Sequence, residues 1–228
     1  SGRRGNDIVL PFSSEEVYNI ELSKTVVKLS EIHCTGRYFS MEAMQKIKCL
    51  TIEDSNFPDR LRKLSGMPKK LYYIGNLPDP KKPAEAVVGA RMCSPYGRCQ
   101  AFKYARTMAS YGVQIISGMA RGIDAEGHKG ALDTDTPTFA VLGSGVDVCY
   151  PNSNRWLYQR ILEKGGGIIS ELPPGSPPVN WAFPARNRII SGLSDAVLVV
   201  EAKEQSGSLI TANFALEHGH SVYALPGA

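Results

Sequence analysis

The stretch Ile115–Asp124 reads IISGMARGID, and it passes from an apolar run through small residues and a cation into the start of a helix. The same order occurs in VVGAR at 87–91, before Ser94 and Pro95, and in FAVLG at 139–143. Short apolar strands that alternate with amphipathic helices are typical of a parallel sheet covered on both faces. The sequence therefore predicts an α/β fold, Rossmann-like and doubly wound, with a mostly parallel sheet.

The pattern predicts further elements on both sides of this stretch. Predicted strands are 71–75, 86–89, 113–117, 138–142, 167–170, 196–201 and 221–225, and predicted helices are 96–111, 122–132, 154–164, 185–193 and 208–218. Before Leu50, a capping box at 13–16 and spaced apolar residues indicate one helix, and a second is expected at 41–47. We expect a small helical N-terminal appendage at 1–49 and a Rossmann-like domain at 50–228.

Composition narrows the class of protein. The chain has 228 residues and a formal net charge of +4, which is mild for a protein that grips duplex DNA, so a polyanion would need a local groove. Its five scattered cysteines fit reduced thiols better than a disulfide framework. No apolar run has the length of a membrane span and no leader precedes the first domain. We expect a cytoplasmic protein that does not contact the membrane.

Three strand ends offer places for a phosphate group. Glycine lets the backbone approach a ligand closely, and the next helix presents unpaired N–H groups to an anion. Arg91 and Arg121 could each instead tie a helix end or a carboxylate such as Asp124. Two cations above one sheet edge repel each other unless an anion lies between them, so we favour phosphate binding. The candidates are Gly89, Arg91, Ser94, Ser117, Gly118, Arg121 and Gly143.

Two arginines and an asparagine follow a proline-rich loop in the stretch FPARNRIISGLS, residues 183–194. On a helix, Arg186 and Arg188 point about 200° apart, so both cannot serve one small site. We expect Arg186 and Asn187 near the ligand and Arg188 in a structural ion pair. The sequence does not decide between the two arginines, and both stay candidate ligands. The possible acidic partners are Asp195 and Glu201.

The stretch SGSLIT at 206–211 lies between a strand and a helix. Its simplest interpretation is a capped helix start, which needs no ligand. It could equally be a further anion site, with hydroxyl donors from Ser208 and Thr211 and a phosphate contact from Lys203. Both interpretations can hold together.

Aromatic side chains matter for single strands, because bases stack on them without regard to sequence. Tyr150, Trp156, Trp181 and Phe183 are candidates for such stacking, and the last two lie in the proline-rich loop. For Trp156, on the predicted helix 154–164, packing inside the protein is favoured.

The signatures of common cofactor and metal sites are missing from the sequence. No G-x-G-x-x-G follows the first strand, no Gly-Lys-Ser/Thr phosphate loop occurs, and the histidines and cysteines lack zinc-ligand spacing. His128 is expected to bond a neighbouring carbonyl instead of acting in catalysis. We expect no cofactor, no metal and no enzymatic activity.

Five motifs together resemble one known family. They are VVGAR with the following S and YG, SGMARGID with EGHKGAL, AVLGSGVDVCYP, FPARNRIISGLS and EAKEQSGSLITANFALEHG, and they are similar to those of the DNA-processing protein A family, also called Smf. The resemblance covers roughly residues 50–227. It implies single-stranded DNA binding in natural transformation, a homodimer and delivery of the recombinase RecA to the strand.

A nucleotide sensor or nucleotide-processing enzyme on a related Rossmann-like scaffold is the alternative. The cytokinin-activating phosphoribohydrolases, which this fold also resembles, carry P-G-G-x-G-T-x-x-E, whose glutamate does the chemistry. The corresponding residues here, 206–213, read SGSLITAN and lack that glutamate. We therefore predict a single-stranded DNA-binding protein.

Overall fold

The computed structural model describes residues 47–203 and 206–226. The strands are β1 (Lys48–Thr51), β2 (Lys70–Gly75), β3 (Ala84–Val88), β4 (Gln114–Ser117), β5 (Thr138–Val141), β6 (Gly167–Ser170), β7 (Ala196–Val199) and β8 (Ser221–Ala224). The helices are α1 (Asp59–Arg62), α2 (Pro95–Ser110), α3 (Ile123–Leu132), α4 (Arg155–Glu163), α5 (Ala182–Leu193) and α6 (Gly207–Glu217). A 3₁₀ turn at Asn152–Asn154 precedes α4. None of these helices is both long and apolar enough to cross a membrane.

The eight strands form one sheet in the order β1-β2-β6-β5-β4-β3-β7-β8. The six strands from β6 to β8 run parallel, whereas β2 is antiparallel to β6 and β1 is antiparallel to β2. From β3 the chain winds one way through β4, β5 and β6, and then the other way through β7 and β8. The predicted doubly wound, mostly parallel fold is confirmed, and its topological switch point lies between β3 and β7.

Helices cover both faces of the sheet. Helices α1, α5 and α6 pack on one face against a core that includes Leu61, Phe139 and Ile189. On the other face, α2, α3 and α4 cover two apolar clusters, which contain Ile115 and Leu157 respectively. Because β3, β4, β5 and β7 run parallel, their carboxyl ends lie at the same edge of the sheet.

The largest differences from the predicted elements are at three places, and several other strand ends shift by one or two residues. Strand β1 and the single-turn helix α1 were not predicted, and α5 begins at Ala182 instead of Ala185 because Pro184 fits the first turn of a helix. The helices predicted before residue 47 lie outside the described residues. Strand β1 starts at Lys48, two residues before the predicted domain boundary, and the division into two units stays a prediction.

Candidate nucleic-acid interface

A cavity of about 320 Å³ opens at the switch point between β3 and β7. It lies where doubly wound proteins commonly bind ligands. We call it the first cavity. Its walls come from the residues after β3, from the first turns of α5 and from the start of α6. The predicted site residues in its lining are Gly89, Arg91, Phe183, Arg186, Asn187, Lys203, Ser208 and Thr211.

A second cavity of about 470 Å³ adjoins the first, beyond the ends of β4 and β5. The two share Arg91, Phe183 and Arg186 in their linings. We call it the second cavity, and a chain molecule could cross from one to the other. The predicted site residues in its lining are Arg91, Arg121, Gly143, Tyr150, Phe183 and Arg186.

Exposed cations surround the two cavities. Arg91, Arg121 and Lys203 are exposed, and within residues 47–203 and 206–226 none of them forms a salt bridge. The contact of Arg121 is a long hydrogen bond, 3.4 Å from its Nε to Ser153 Oγ. Charges that lack a protein partner are available to phosphate groups. These three residues form the rim of the site.

Two aromatic rings accompany these cations: Phe183 lines both cavities, and Tyr150 lines the second. The guanidinium of Arg91 is 5.3 Å from the centroid of the Phe183 ring. On the other side, the Tyr150 and Phe183 centroids are 5.5 Å apart, with planes tilted by 35°. Tyr150 is 46% exposed, so a base could approach its ring from solvent. The predicted pairing of cations with stacking aromatics is present in this geometry.

The floor of the cavities contains a buried ion pair. Arg186 and Asp124 are each 6% exposed, and Arg186 Nη2 is 3.8 Å from Asp124 Oδ2. The same guanidinium donates to the carbonyl of Val141, and its Nε donates to Asn187 Oδ1 at 3.1 Å. Arg186 thus joins α3, β5 and α5 beneath both cavities.

Burial favours the neutral form of both partners and shifts the pKa of each group accordingly. It raises the pKa of Asp124, a change that the facing guanidinium of Arg186 opposes. Burial also lowers the pKa of Arg186, and the Asp124 carboxylate opposes that shift. The charge of Arg186 is therefore balanced within the protein. Arg186 lies beside the candidate ligand site, as expected, but its contacts favour a role in holding the floor.

Two residues keep this floor closely packed. A Cβ on Gly118 would collide with the guanidinium of Arg186, so only glycine fits beside the buried pair. Asn187 donates from Nδ2 to the carbonyl of Gly207 at 3.0 Å. This bond ties α5 to the first residue of α6. The floor thus positions the helix start that lines the first cavity.

The start of α6 is a capped helix end that lines the first cavity, while anion binding there stays a prediction. Ser206 is the N-cap, and its Oγ accepts from the backbone N–H of Ser208 at 3.3 Å. The hydroxyl groups of the two serines are 2.6 Å apart. These residues also line the first cavity, so the positive end of the helix dipole faces it. The helix start is capped and lies at the cavity.

Four predicted site residues lie outside the linings of both cavities. Three of them have structural roles. Ser94 caps α2, as its sequence position indicated, and its Oγ donates to Glu201 at 2.7 Å. Ser117 is fully buried and donates to the carbonyl of Val87 at 2.6 Å. Gly118 contacts Arg186 beneath the floor. None of these three residues lines either cavity, and their contact with a ligand stays a prediction.

Arg188 is the fourth residue outside the cavities. Its guanidinium forms a two-point ion pair with Glu171, with N–O distances of 3.1 and 2.5 Å, and its Nε donates to the carbonyl of Gly66. The predicted structural role is correct, but the candidate acids Asp195 and Glu201 are not its partners. Helical spacing separates Arg186 from Arg188, while the contact with Glu171 depends on tertiary structure.

His128 is a structural residue of the same region. It is fully buried, its Nε2 lies 2.7 Å from the carbonyl oxygen of Gly118, and its Nδ1 lies 2.7 Å from Thr138 Oγ1. Burial lowers its pKa to about 4, so the ring is neutral at physiological pH. The expected carbonyl bond is confirmed. Among the described residues, no three His, Cys, Asp or Glu side chains are placed to hold a metal.

Sequence reasoning missed several residues of the interface. Met92, which is 86% exposed, lines both cavities beside Arg91, and Asn152 and Ser153 form one wall of the second. None of the three belongs to a strand-end glycine motif. Asp124 had been considered as a partner for Arg91 or Arg121, but it pairs with Arg186. The position of Asp124 in the first turn of α3 was the sequence feature that indicated a charged contact there.

Known proteins are similar to this chain in sequence. The family model for DNA recombination-mediator protein A matches residues 48–228. The chain belongs to that family. It is 46% identical to the Escherichia coli protein Smf over 175 residues, which are 76% of this chain and 47% of that protein. It is 41% identical to the DNA processing protein DprA of Streptococcus pneumoniae over 198 residues, 84% of this chain and 70% of that one.

Solved structures of the family share the fold. The X-ray structure of DNA processing protein A from Streptococcus pneumoniae gives a TM-score of 0.75 at 42% identity, covering 82% of this chain and 65% of that one. DNA processing protein A from Helicobacter pylori, studied for its single-stranded DNA binding mode, gives 0.71 at 31% identity, covering 80% and 82%. The present chain spans about half the length of the Escherichia coli protein.

Proposed function

We propose that this chain binds single-stranded DNA across the two adjoining cavities without making or breaking a bond. One observation carries the proposal: three exposed cations without salt bridges among the described residues surround a Phe183–Tyr150 pair at the carboxyl ends of the strands. Cations that follow a backbone, together with rings that accept any base, are what sequence-tolerant strand binding requires. The binding mode studied in the Helicobacter pylori relative supports it.

Each part of the site has a role in this proposal. Arg91, Arg121 and Lys203 contact phosphates, and the N–H groups at the start of α6 receive a further phosphate oxygen. Phe183 and Tyr150 stack on bases. The Arg186–Asp124 floor binds nothing itself, but it keeps the cavity walls at a fixed separation. Pre-organised walls reduce the ordering cost of binding.

Fluorescence anisotropy with a labelled oligothymidylate tests the proposal. We expect a single strand to bind more tightly than a blunt duplex of the same length, because a flexible backbone can follow the cavities and present its bases. With three phosphate contacts, log K should fall against log salt with a slope of about −2, at about 0.7 per contact. Equal affinity for the duplex would contradict the proposal.

A mononucleotide is the second candidate ligand. The first cavity lies at the switch point of a doubly wound sheet and ends at a capped helix N-terminus, which is where such folds bind nucleotides. A small buried ligand would give a salt slope near zero and would compete with the oligonucleotide. Competition by mononucleotides, with a parallel hydrolysis assay, separates the two proposals.

We infer two protein partners from the resemblance to the family, a second copy of this chain and a recombinase of the RecA type. In the described residues β8 is the last strand of the sheet, and Tyr223 in β8 and Leu216 in α6 are 55% and 63% exposed. We assign self-association to this edge and place the protein in the cytoplasm with its DNA. Light scattering measures the dimer, and strand-exchange assays measure the effect on RecA.

A further inference from the structure

Trp156 is exposed where the sequence favoured packing. Helix α4 buries Leu157, Tyr158 and Ile161 against the sheet, and this is the face that its core contacts require. Trp156 points elsewhere and is 51% exposed. The expectation that it packs inside the protein is therefore wrong. A large ring left half in water adds little to the core that Leu157 and Ile161 already form.

Lys129 holds the indole in one orientation. Its Nζ lies 5.7 Å from the centroid of the Trp156 ring, a favourable cation–π distance. The same Nζ is 2.8 Å from Glu126 Oε1, and the Glu126 side chain is only 10% exposed. The ammonium therefore lies between a buried carboxylate and the ring. The same carboxylate oxygen is 3.7 Å from Arg98 Nη1, so Glu126 is shared by two cations.

The Trp156–Lys129 pair does not line the second cavity, but Trp156 follows closely in the chain a residue that does. Ser153 lines that cavity and receives the hydrogen bond from Arg121. The 3₁₀ turn Asn152–Asn154 leads directly into α4, so Trp156 lies one turn beyond Ser153, about 5 Å along the axis. A strand that leaves the second cavity past Arg121 would meet the indole next.

We propose that Trp156, oriented by Lys129, is an additional stacking position for a nucleobase of a strand leaving the second cavity. This inference rests on the proposed single-stranded DNA binding. Any base would be accepted, because every base has a π-face and stacking on an aromatic ring does not depend on hydrogen bonds. Because the indole ring carries no charge, the position contributes stacking, and removing the ring should leave the dependence of binding on salt unchanged.

A length series of labelled oligothymidylates, from about four to about sixteen nucleotides, tests the position. Wild type and Trp156→Ala should bind the shortest strands equally, because these fill only the cavities. At greater length the variant should fall behind by at least about fivefold, the lower end of base stacking on aromatics, with an unchanged salt slope. Trp156→Phe should recover most of the difference because it keeps a ring.

Intrinsic fluorescence gives a second measurement that a structural role would not affect. The chain has two tryptophans, so Trp181→Phe leaves Trp156 as the only reporter. Long oligonucleotides should quench its emission and short ones should not. If long oligonucleotides leave the emission unchanged, as expected if Trp156 instead bound a protein partner, the inference is overturned.

The failures of the two proposals are distinguishable. If wild type binds strands but Trp156→Ala matches it at every length, the stacking position is wrong while single-stranded DNA binding stands. An equal loss at all lengths, with a lower melting temperature in calorimetry, would show that Trp156 is structural and would also overturn the inference. If wild type binds no oligonucleotide, both proposals fail together.

Discussion

The floor and the rim of the two cavities use the same residue type for different purposes. On the floor, Arg186 is 6% exposed and faces Asp124, while on the rim Arg91 and Arg121 are exposed and form no salt bridge within the described residues. Arg186 and Arg91 line both cavities, and Arg121 lines the second. Nearness to a ligand site therefore does not make an arginine a ligand. Burial and a facing carboxylate decide whether its charge is available.

The largest expected effect is on the floor. Arg186→Met removes the partner of a buried carboxylate and leaves the carbonyl of Val141 without its donor. Breaking a buried pair in this way costs about 3–5 kcal/mol, so we expect a large loss in the free energy of unfolding by urea titration. The double variant Arg186→Met/Asp124→Asn should recover part of it, because the remaining side chain is neutral. An unchanged urea midpoint in the single variant would contradict a structural role.

Acid should lower the free energy of unfolding through His128, which lies 2.7 Å from the carbonyl oxygen of Gly118. Its folded-state pKa is about 4, below the usual 6.5, so the unfolded chain binds more protons between these values. The stabilisation is complete above pH 6.5 and is lost as the pH falls to about 4, on the order of 3 kcal/mol. Urea titrations across this range should show a flatter pH dependence for His128→Gln than for wild type. Parallel curves would place the acid sensitivity elsewhere.

Two glycine positions test how closely the floor is packed. A methyl group on Gly118 would collide with the Arg186 guanidinium, so Gly118→Ala should cost about 1–3 kcal/mol of stability. The matched control is Gly207→Ala at the first position of α6, where nothing lies within 4 Å of the added Cβ. That variant should be as stable as wild type or slightly more stable. Similar melting temperatures for both variants would show that the floor can relax.

The smallest effect in free energy is expected at the rim. Arg121→Glu should weaken oligonucleotide binding at least about tenfold, because it removes one phosphate contact and places a carboxylate in its path. The melting temperature should change little, since a carboxylate is tolerated near the start of α3. Lys81→Glu, an exposed position at the opposite edge of the sheet, makes the same charge change and should leave binding intact. Equal losses in both variants would indicate a general charge effect.

The sequence predicted the elements whose apolar periodicity and end signals agree. Strands β4 and β6 were predicted nearly to the residue, and the cap at Ser94 was correct, because glycine, serine and proline act locally. Strand β1 was missed because its four residues, Lys48–Thr51, carry no alternating pattern, and it exists only through its pairing with β2.

The site was predicted in outline for the same reason. Arg91, Arg121 and Lys203 follow strand ends, and strand ends of a parallel sheet converge. The difference between Arg186 and Arg188 required knowledge of which acids face them, Asp124 and Glu171, and these lie 62 and 17 positions away in the chain. No local pattern contains that information.

The cap of α2 also has a consequence for synthesis of the chain. Ser94 donates from its N–H and its Oγ to Glu201, 107 positions later, and β3 pairs with β7 over a similar separation. At about 5–20 residues per second, a ribosome needs roughly 5–20 s to make the intervening segment. During that interval one edge of β3, the strand at the switch point, has no partner. Unpaired strand edges on nascent chains promote aggregation, so we expect this domain to be most prone to it until β7 is made.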